Sequence, residues 1–259
     1  RDDGPCLLRQ PCRRRDAAGR GVGCSGHLCY DGPETSAAAH KAMATPRSGP
    51  YIWVTWLTKL LVGENSCEWA AWFPANHESR SYDKVPSNFD ATEWQLHHTE
   101  LLSKVRAGIE AEGRTAFTEG QNSFTLRGRT AVLGGKPDLI AVSEGAGTIL
   151  DVKTGQPSPS HHVQVMLYMY AVPKALHQYN GISFDGRLVY PDHEDYIPST
   201  AVDDTFINNL SSLIQRLASP NPARRVPSGM ECGFCNITAA DCPERVVDDD
   251  VVVGETEDF

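Results

Sequence analysis

The sequence predicts an α/β fold in which a central mixed β-sheet is flanked by helices. Two patterns carry this prediction. Hydrophobic residues recur at helical spacing in a long segment before residue 113, and shorter strand-like segments follow it, separated by glycine-rich or polar breaks. The chain has 259 residues, of which 40% are hydrophobic and 22% charged, so it can bury the core of one large or two small domains.

Helical patterns come first along the chain. Residues 51–61 are aromatic and aliphatic and predict a buried helix face. The clearest helix covers residues 91–112, whose apolar residues fall on one stripe: Trp94, Leu101, Leu102, Val105 and Ile109. His98 belongs to this stripe, whereas His97 lies about 100° away around the helix. We therefore expect His98 to point inward.

Strand patterns follow Gly113. They cover residues 114–119, 123–133, 137–142 and 148–152, and the short breaks between them predict a meander. Beyond these strands we expect a helix at residues 162–172 and a further strand at residues 181–190. An amphipathic helix is expected at residues 205–218, and a proline-containing linker at residues 219–229. We find no internal repeat.

One domain is expected over residues 43–245. Residues 1–42 show no periodicity and precede the first methionine, so we expect a disordered or non-native leader. The alternative is a metal knuckle built from four cysteines of that segment, Cys6, Cys12, Cys24 and Cys29. Residues 246–259 carry six acidic residues and no basic one, which predicts a disordered tail.

Charge and hydropathy restrict the partners. The chain carries 24 basic and 33 acidic residues. Residues 43–245 contain 17 of the basic and 22 of the acidic residues. An acidic domain disfavours non-specific coating of DNA, although a local basic groove around an acidic metal site is compatible with it. The sequence contains neither an apolar run of roughly 18 to 20 residues nor the apolar region of a signal peptide. We expect a cytoplasmic protein without a membrane partner.

The segments around residues 138 and 151 carry the chemistry. Pro137-Asp138 opens one strand pattern and Asp151 ends the next, so a hairpin would bring the two carboxylates together. Such carboxylates repel each other unless a cation lies between them, and hard oxygen ligands favour Mg²⁺ or Mn²⁺. Strand alternation puts Lys153 on the face of Asp151 and Val152 on the opposite face. An ammonium group there can orient the attacking water and offset charge on a phosphate. The alternative to a metal site is structural: Asp138 caps a turn, and Asp151 and Lys153 form a surface ion pair.

Pro137-Asp138 with Asp151-x-Lys153 resembles the signature of the PD-(D/E)xK nuclease superfamily. The resemblance covers roughly residues 50–245. It implies a restriction-endonuclease-like core and hydrolysis of phosphodiester bonds with the help of a divalent metal ion.

Two further features resemble the RecB-like branch of that superfamily. Gln164 and Tyr168 lie four residues apart on the next predicted helix and match its QxxxY motif, and His98 resembles its additional metal-binding histidine. The resemblance implies that metal is bound by His98, Asp138, Asp151 and the Val152 carbonyl. It also implies that Lys153 is catalytic and that Gln164 and Tyr168 support the site or touch DNA. The alternatives are that His98 is a buried structural histidine and that Gln164 and Tyr168 are ordinary residues of an amphipathic helix.

Four cysteines form a second constellation. Cys232, Cys235 and Cys242 lie within eleven residues, and Cys67 lies far upstream. Four sulfurs can hold zinc or an iron–sulfur cluster, and spacing alone does not choose between them. Here the arrangement resembles nucleases of the AddB, eukaryotic helicase-nuclease and CRISPR-associated exonuclease type, which implies a [4Fe–4S] cluster that clips the two ends of the domain together. The acidic and apolar residues after Cys67 depart from that pattern.

The resemblance implies an exonuclease that acts on single-stranded DNA ends or flaps in recombination, repair, phage replication or CRISPR spacer acquisition. No helicase P-loop occurs, so a helicase, recombinase or integrase would be a separate partner. The candidate DNA-contacting residues are Lys104, Arg106, Arg127, Arg129, Lys136, Arg224 and Arg225. The competing hypotheses are a non-catalytic DNA-binding or assembly module with the same fold and a zinc-stapled protein unrelated to nucleases.

Overall fold

The computed structural model describes residues 44–87, 89–143 and 145–247. The leader expected at residues 1–42, with its four cysteines, and residues 248–259 of the acidic tail lie outside the described residues. The strands are β1 (Tyr51–Trp53), β2 (Thr115–Thr118), β3 (Phe124–Arg127), β4 (Val132–Gly135), β5 (Leu139–Ser143), β6 (Ala146–Val152), β7 (Ser183–Val189) and β8 (Glu194–Ile197). The helices are α1 (Val54–Val62), α2 (Trp69–Asn76), α3 (Ala91–Ala111), α4 (Glu119–Asn122), α5 (Pro159–Ala175), α6 (Asp204–Leu217) and α7 (Gly229–Gly233).

The strands form two sheets. The larger sheet has the order β2-β5-β6-β7-β8, in which β6 and β7 are parallel and the other neighbours are antiparallel. Parallel neighbours need a long crossover, and α5 provides it between β6 and β7. The smaller sheet has the order β1-β4-β3, with β1 parallel to β4. The predicted mixed sheet with flanking helices is confirmed, and it is consistent with a restriction-endonuclease-like core.

Apolar residues cover both faces of the β5–β6 hairpin. Ile140 and Ile149 are paired and face the larger core, which includes α1 and α5. Leu139 and Leu150 are also paired and face a smaller core against α3. A shift of one residue would turn each of these side chains to the wrong face. Burial on both faces therefore fixes the register of the hairpin, and with it the position of the polar residues at its end.

Helix α3 begins and ends at clear signals. The Asp90 side chain accepts hydrogen bonds from the backbone N–H groups of Thr92 and Glu93, both at 3.0 Å, and so caps the first turn. Gly113, whose φ of 78° suits glycine, follows the helix. His98 is buried and His97 is exposed, as the apolar stripe predicts. Trp94 was expected on the buried stripe, but 40% of it is exposed.

The predicted meander is wrong, because β2 pairs with β5 while β3 and β4 belong to the smaller sheet. Two predicted boundaries are also wrong. The helix predicted at residues 51–61 begins only at Val54, since the three residues before it pair with β4. The strand predicted at residues 123–133 is two strands, because the chain turns where Gly128 donates a hydrogen bond to the Ala131 carbonyl at 2.9 Å.

Four helices or strands of the described residues fall where none was predicted. Helix α2 contains Pro74 and lacks helical periodicity, and β8 is a short edge strand of mainly polar sequence. Helices α4 and α7 have only four and five residues. The expected linker is confirmed, since residues 218–228 contain neither helix nor strand.

Candidate active site

The end of the β5–β6 hairpin places Asp138 and Asp151 side by side. Leu139 pairs with Leu150, so the two aspartates lie opposite each other one residue beyond this pair. Only 9% of Asp138 and 1% of Asp151 are exposed. The hairpin predicted from the sequence therefore brings two acidic residues together in a largely dry environment.

Asp138 is held by hydrogen bonds from two elements. The backbone N–H of Val152 donates to Asp138 Oδ2 at 2.8 Å, and His98 Nε2 lies 3.2 Å from the same oxygen. This hydrogen bond raises the pKa of His98, although burial of the imidazole acts in the opposite direction. His98 Nδ1 is buried without a hydrogen-bond partner. Helix α3 and the hairpin thus present an imidazole nitrogen and a carboxylate oxygen to the same point.

Asp151, Lys153 and Gln164 form a closed polar network. Lys153 Nζ lies 2.5 Å from Asp151 Oδ2 and donates to Gln164 Oε1 at 3.1 Å. Gln164 Nε2 donates to Asp151 Oδ1 at 3.0 Å. Burial raises the pKa of Asp151 to about 6, and the Lys153 ammonium opposes this rise. The network holds the ammonium group in one position just beyond the C-terminal end of β6.

Tyr168 extends this network on helix α5. Gln164 Nε2 lies 3.3 Å from the Tyr168 hydroxyl, which donates to the Lys136 carbonyl at 3.4 Å. Burial raises the pKa of Tyr168 above its usual range, so the hydroxyl keeps its proton. The ring packs edge-on against Phe124 with centroids 6.1 Å apart, and a Cβ on Gly135 would lie 2.9 Å from its Cε1. The glycine is required because two aromatic rings fill the space beside it.

Glu119 joins the group although the sequence analysis did not single it out. His98, Glu119 and Asp138 each offer a ligand atom within 4.8 Å of the others. Glu119 follows β2, and Thr118 at the end of that strand pairs with Leu139. Only the pairing of β2 with β5 reveals this position, because no local motif marks it. In the structure Glu119 forms an ion pair with Lys136 at 2.5 Å.

One cleft of about 700 Å³ collects these side chains. The predicted site residues that line it are His98, Asp138, Asp151, Val152, Lys153, Gln164 and Tyr168. The backbone N–H of Val152 is the group that contacts Asp138, and the role assigned to its carbonyl stays a prediction. The donors near the hairpin end include the His98 imidazole and several carboxylates, a set that suits a hard divalent cation.

The four predicted cysteines meet at a second place. Cys67, Cys232, Cys235 and Cys242 line one small pocket and form no disulfide. Burial raises the pKa of Cys235 and Cys242, and the neighbouring thiols contribute in the same direction. The four cysteines therefore line one site, where a metal centre would supply positive charge that stabilises the thiolates.

Arg245 holds the chain around this pocket. Its guanidinium donates to the carbonyls of Cys235 at 2.7 Å, Ile237 at 2.8 Å and Cys232 at 2.9 Å. From the other end of the domain, the backbone N–H of Ser66 contacts the Glu231 carboxylate at 2.5 Å. The segment around Cys67 is therefore tied to the C-terminal segment by hydrogen bonds as well as by the shared pocket.

Buried carboxylates that share a cleft with a fixed ammonium group are suited to hold a divalent cation against a phosphate, which is the chemistry of metal-dependent nucleases. A model of the PD-(D/E)XK nuclease superfamily matches residues 62–242, and the chain belongs to this superfamily. Its members are nuclease hydrolases that generally use divalent metal ions, and DNA is the substrate that this membership implies.

Among solved structures, the chain matches one described as the crystal structure of SSO0001. It is 20% identical to this chain, the alignment covers 78% of this chain and 89% of the other, and the TM-score is 0.42. No curated protein matches the chain. Within the described ranges, no helix has the length and apolar character needed to cross a membrane.

Proposed function

We propose that this nuclease is RecB-like, depends on Mg²⁺ or Mn²⁺ and acts as an exonuclease on single-stranded DNA ends or flaps. The observation that carries the proposal is the network in which Asp151 and Gln164 fix the Lys153 ammonium at the end of the acidic hairpin. A fixed cation beside metal-binding carboxylates stabilises the charge that develops on a phosphate during hydrolysis. The assignment to the RecB-like branch rests on Gln164, Tyr168 and His98.

The divalent ion would be held by His98, Asp138 and Asp151, with the Val152 carbonyl as a further ligand. The spacing of His98, Glu119 and Asp138 supports this assignment, because three ligand atoms within 4.8 Å of one another can surround one ion. It also adds Glu119 to the proposed ligand set. A bound Mg²⁺ or Mn²⁺ supplies Lewis acidity to a phosphate oxygen and lowers the pKa of water.

The side chains of the chain itself supply orientation and charge. Lys153 donates hydrogen bonds towards the phosphate and the attacking water, and its ion pair with Asp151 holds the ammonium group in place. The Gln164 side chain accepts a hydrogen bond from Lys153 at Oε1 and donates one to Asp151 from Nε2. Only one orientation of the amide group satisfies both hydrogen bonds. Tyr168 is hydrogen-bonded to Gln164 and supports that orientation. Loss of one charge-stabilising donor of this kind costs about 10²- to 10³-fold in rate.

Cleavage of end-labelled single- and double-stranded DNA in Mg²⁺, Mn²⁺ or EDTA tests the proposal. We expect metal-dependent cutting of the single strand, a loss of at least about 100-fold in Lys153→Ala and normal cutting in Lys174→Ala. Lys174 is an exposed lysine in the last turn of the same helix that carries Gln164, and it does not line the cleft. If folded wild-type protein binds DNA but cuts nothing with either metal, the non-catalytic binding module replaces the enzyme. Equal cutting by Lys153→Ala removes the proposed role of Lys153.

We further propose that Cys67, Cys232, Cys235 and Cys242 bind a [4Fe–4S] cluster. Among the residues that the structure describes, the ligand atoms of His98, Glu119 and Asp138 lie within 4.8 Å of one another, and the cysteine sulfurs form no group as tight. A single tetrahedral zinc with sulfurs at about 2.3 Å would draw them closer together, whereas a cluster spreads its ligands over four irons.

Metal analysis of protein purified without oxygen separates the cluster from zinc. We expect a brown protein that contains iron and sulfide and loses both in Cys232→Ser. A colourless protein with stoichiometric zinc would refute the cluster. In either case the bound group would close a long loop between the ends of the domain, so its removal should lower stability.

The proposed setting is intracellular DNA processing in the cytoplasm, in recombination, repair, phage replication or CRISPR spacer acquisition. A separate helicase, recombinase or integrase would supply or receive the single-stranded ends. These assignments rest on the resemblance of the motifs to the RecB-like branch.

A further inference from the structure

Three large aromatic side chains at the cleft are substantially exposed. The exposed fractions are 38% for Trp53, 62% for Phe89 and 40% for Trp94, and all three residues line the cleft that contains the acidic hairpin end. Trp53 ends strand β1, whereas Phe89 and Trp94 flank the start of helix α3. Two distant parts of the chain therefore contribute aromatic surface to one opening.

Part of this arrangement has a local structural cause. Asp90 caps α3, so Phe89 and Trp94 occupy the positions before and after the cap that form a hydrophobic staple, and their ring centroids are 6.1 Å apart. The staple accounts for the contact between these two rings. It does not account for Trp53, nor for the large fraction of each ring that stays in contact with solvent.

The aromatic surface is continuous with the proposed metal site. The Trp94 ring stacks on His98 with centroids 4.8 Å apart and an angle of 26° between the rings. His98 in turn contacts Asp138. A base that packs against Trp94 is therefore close to the Asp138 carboxylate of the proposed metal site. The phosphate of the same nucleotide would then lie near the metal ion.

Apart from a bound metal ion at the scissile phosphate, the cleft offers little positive charge to the rest of the DNA backbone. Its two lysines, Lys136 and Lys153, are ion-paired with Glu119 and Asp151. Proteins gain salt-dependent affinity for nucleic acid by neutralising phosphates with free cations, and here both lysines are already neutralised. Base stacking on aromatic rings needs no cation and accepts every base, because each base has a π-face.

We propose that Trp53, Phe89 and Trp94 form an aromatic platform on which unpaired DNA bases stack beside the scissile phosphate. This inference rests on the proposed nuclease function and identifies the part of the substrate that the cleft recognises. In a duplex, neighbouring base pairs cover the faces of each base, so the platform selects single-stranded segments. Binding then depends on bases more than on backbone charge.

Binding to an oligodeoxynucleotide and to an abasic backbone of equal length tests the platform. Each strand carries a fluorescent label and about twelve nucleotide units, and anisotropy is measured with Ca²⁺ in place of Mg²⁺. We expect the wild type to bind the intact strand at least about tenfold more tightly than the abasic strand or a matched duplex. Phe89→Leu and Trp53→Leu keep apolar bulk but remove the ring, and each should weaken binding of the intact strand about five- to tenfold while leaving the abasic strand unchanged.

Tyr196→Leu is the matched control, because Tyr196 is 62% exposed and does not line the cleft. It should bind both strands as the wild type does. Equal wild-type affinity for intact and abasic strands, or equal losses on both strands in the two variants, would overturn the platform. Equal affinity of the wild type for the duplex and for the single strand would also overturn the platform.

The two proposals fail in different ways. Base-dependent binding without cleavage in Mg²⁺ or Mn²⁺ supports the platform and removes the nuclease function. Cleavage that requires metal and Lys153, together with base-independent binding, supports the function and overturns the platform.

Discussion

Asp151→Asn is expected to stabilise the metal-free protein at pH 8 while it removes metal-dependent activity. Asp151 is 1% exposed and its Oδ2 lies against Lys153, yet burial raises the pKa of the carboxyl from 3.8 to about 6. In the folded protein without metal, ionisation of the carboxyl is therefore less favourable than it is in the unfolded chain. Asparagine has nearly the same shape and carries no charge, so it resembles the protonated form.

The size of the effect follows from the difference between the two pKa values. A rise from 3.8 to about 6 corresponds to about 3 kcal/mol of destabilisation once the carboxyl is fully ionised. The folded state binds the proton more tightly than the unfolded state, so this loss develops as the pH rises through the window between the two values. It amounts to about 1.5 kcal/mol at pH 5 and about 3 kcal/mol at pH 8. These values are upper limits for the variant, because Lys153 also loses its ionic partner.

Urea unfolding of wild-type and variant protein in EDTA at pH 5 and pH 8 measures this difference. Titrating groups that do not interact with Asp151 are common to both proteins, so they cancel when the two free energies of unfolding are subtracted. His98 does not cancel fully, because the Asp151 carboxylate contributes to its raised pKa. The advantage of the variant should grow by about 1.5 kcal/mol between pH 5 and pH 8. Mg²⁺ or Mn²⁺ should then stabilise the wild type and leave the variant unchanged. A variant that is less stable at pH 8 than at pH 5, relative to the wild type, would refute the reasoning.

Two further predictions concern the surroundings of the acidic hairpin. Gly135→Ala should lower the free energy of unfolding by about 1 to 3 kcal/mol, because the added Cβ would lie 2.6 Å from Phe124 Cζ. Urea unfolding measures this loss. Gly108→Ala is the control, because a Cβ at that position meets nothing within 4 Å. Metal affinity should fall as the pH drops from 8 to 6, because Asp138 raises the pKa of His98 and the ion must displace that proton. Calorimetry in buffers with different ionisation enthalpies should detect the released proton, and equal affinities at both pH values would contradict this account.

Local patterns were sufficient for the parts of the site that are close in the chain. Pro137, Asp138, Asp151 and Lys153 lie at the end of one hairpin. Its apolar runs and the polar break between them predict both strands, and strand geometry predicts the faces of its polar residues. The inward position of His98 followed equally from helical spacing and is confirmed. Their roles in metal binding and catalysis stay predictions, as do those of Gln164 and Tyr168.

Contacts between distant segments decided what the local patterns missed. Glu119 reaches His98 and Asp138 because β2 pairs with β5, and no spacing in the sequence announces that pairing. Trp94 occupies the apolar stripe of α3 but remains 40% exposed, since the cleft opens in front of it. Periodicity tells which side chains share a face and does not tell how far a neighbouring element covers that face.

The sequence by itself determined the mixed α/β class, the acidic hairpin and the four cysteines of the second constellation, because periodicity and motif spacing are properties of short segments. The tertiary structure decided that β1 is a strand, that Lys153 is held by both Asp151 and Gln164, and that aromatic rings from two segments meet at one cleft. Each of these depends on burial and pairing between residues far apart in the chain, and only the packed fold determines which distant segments meet.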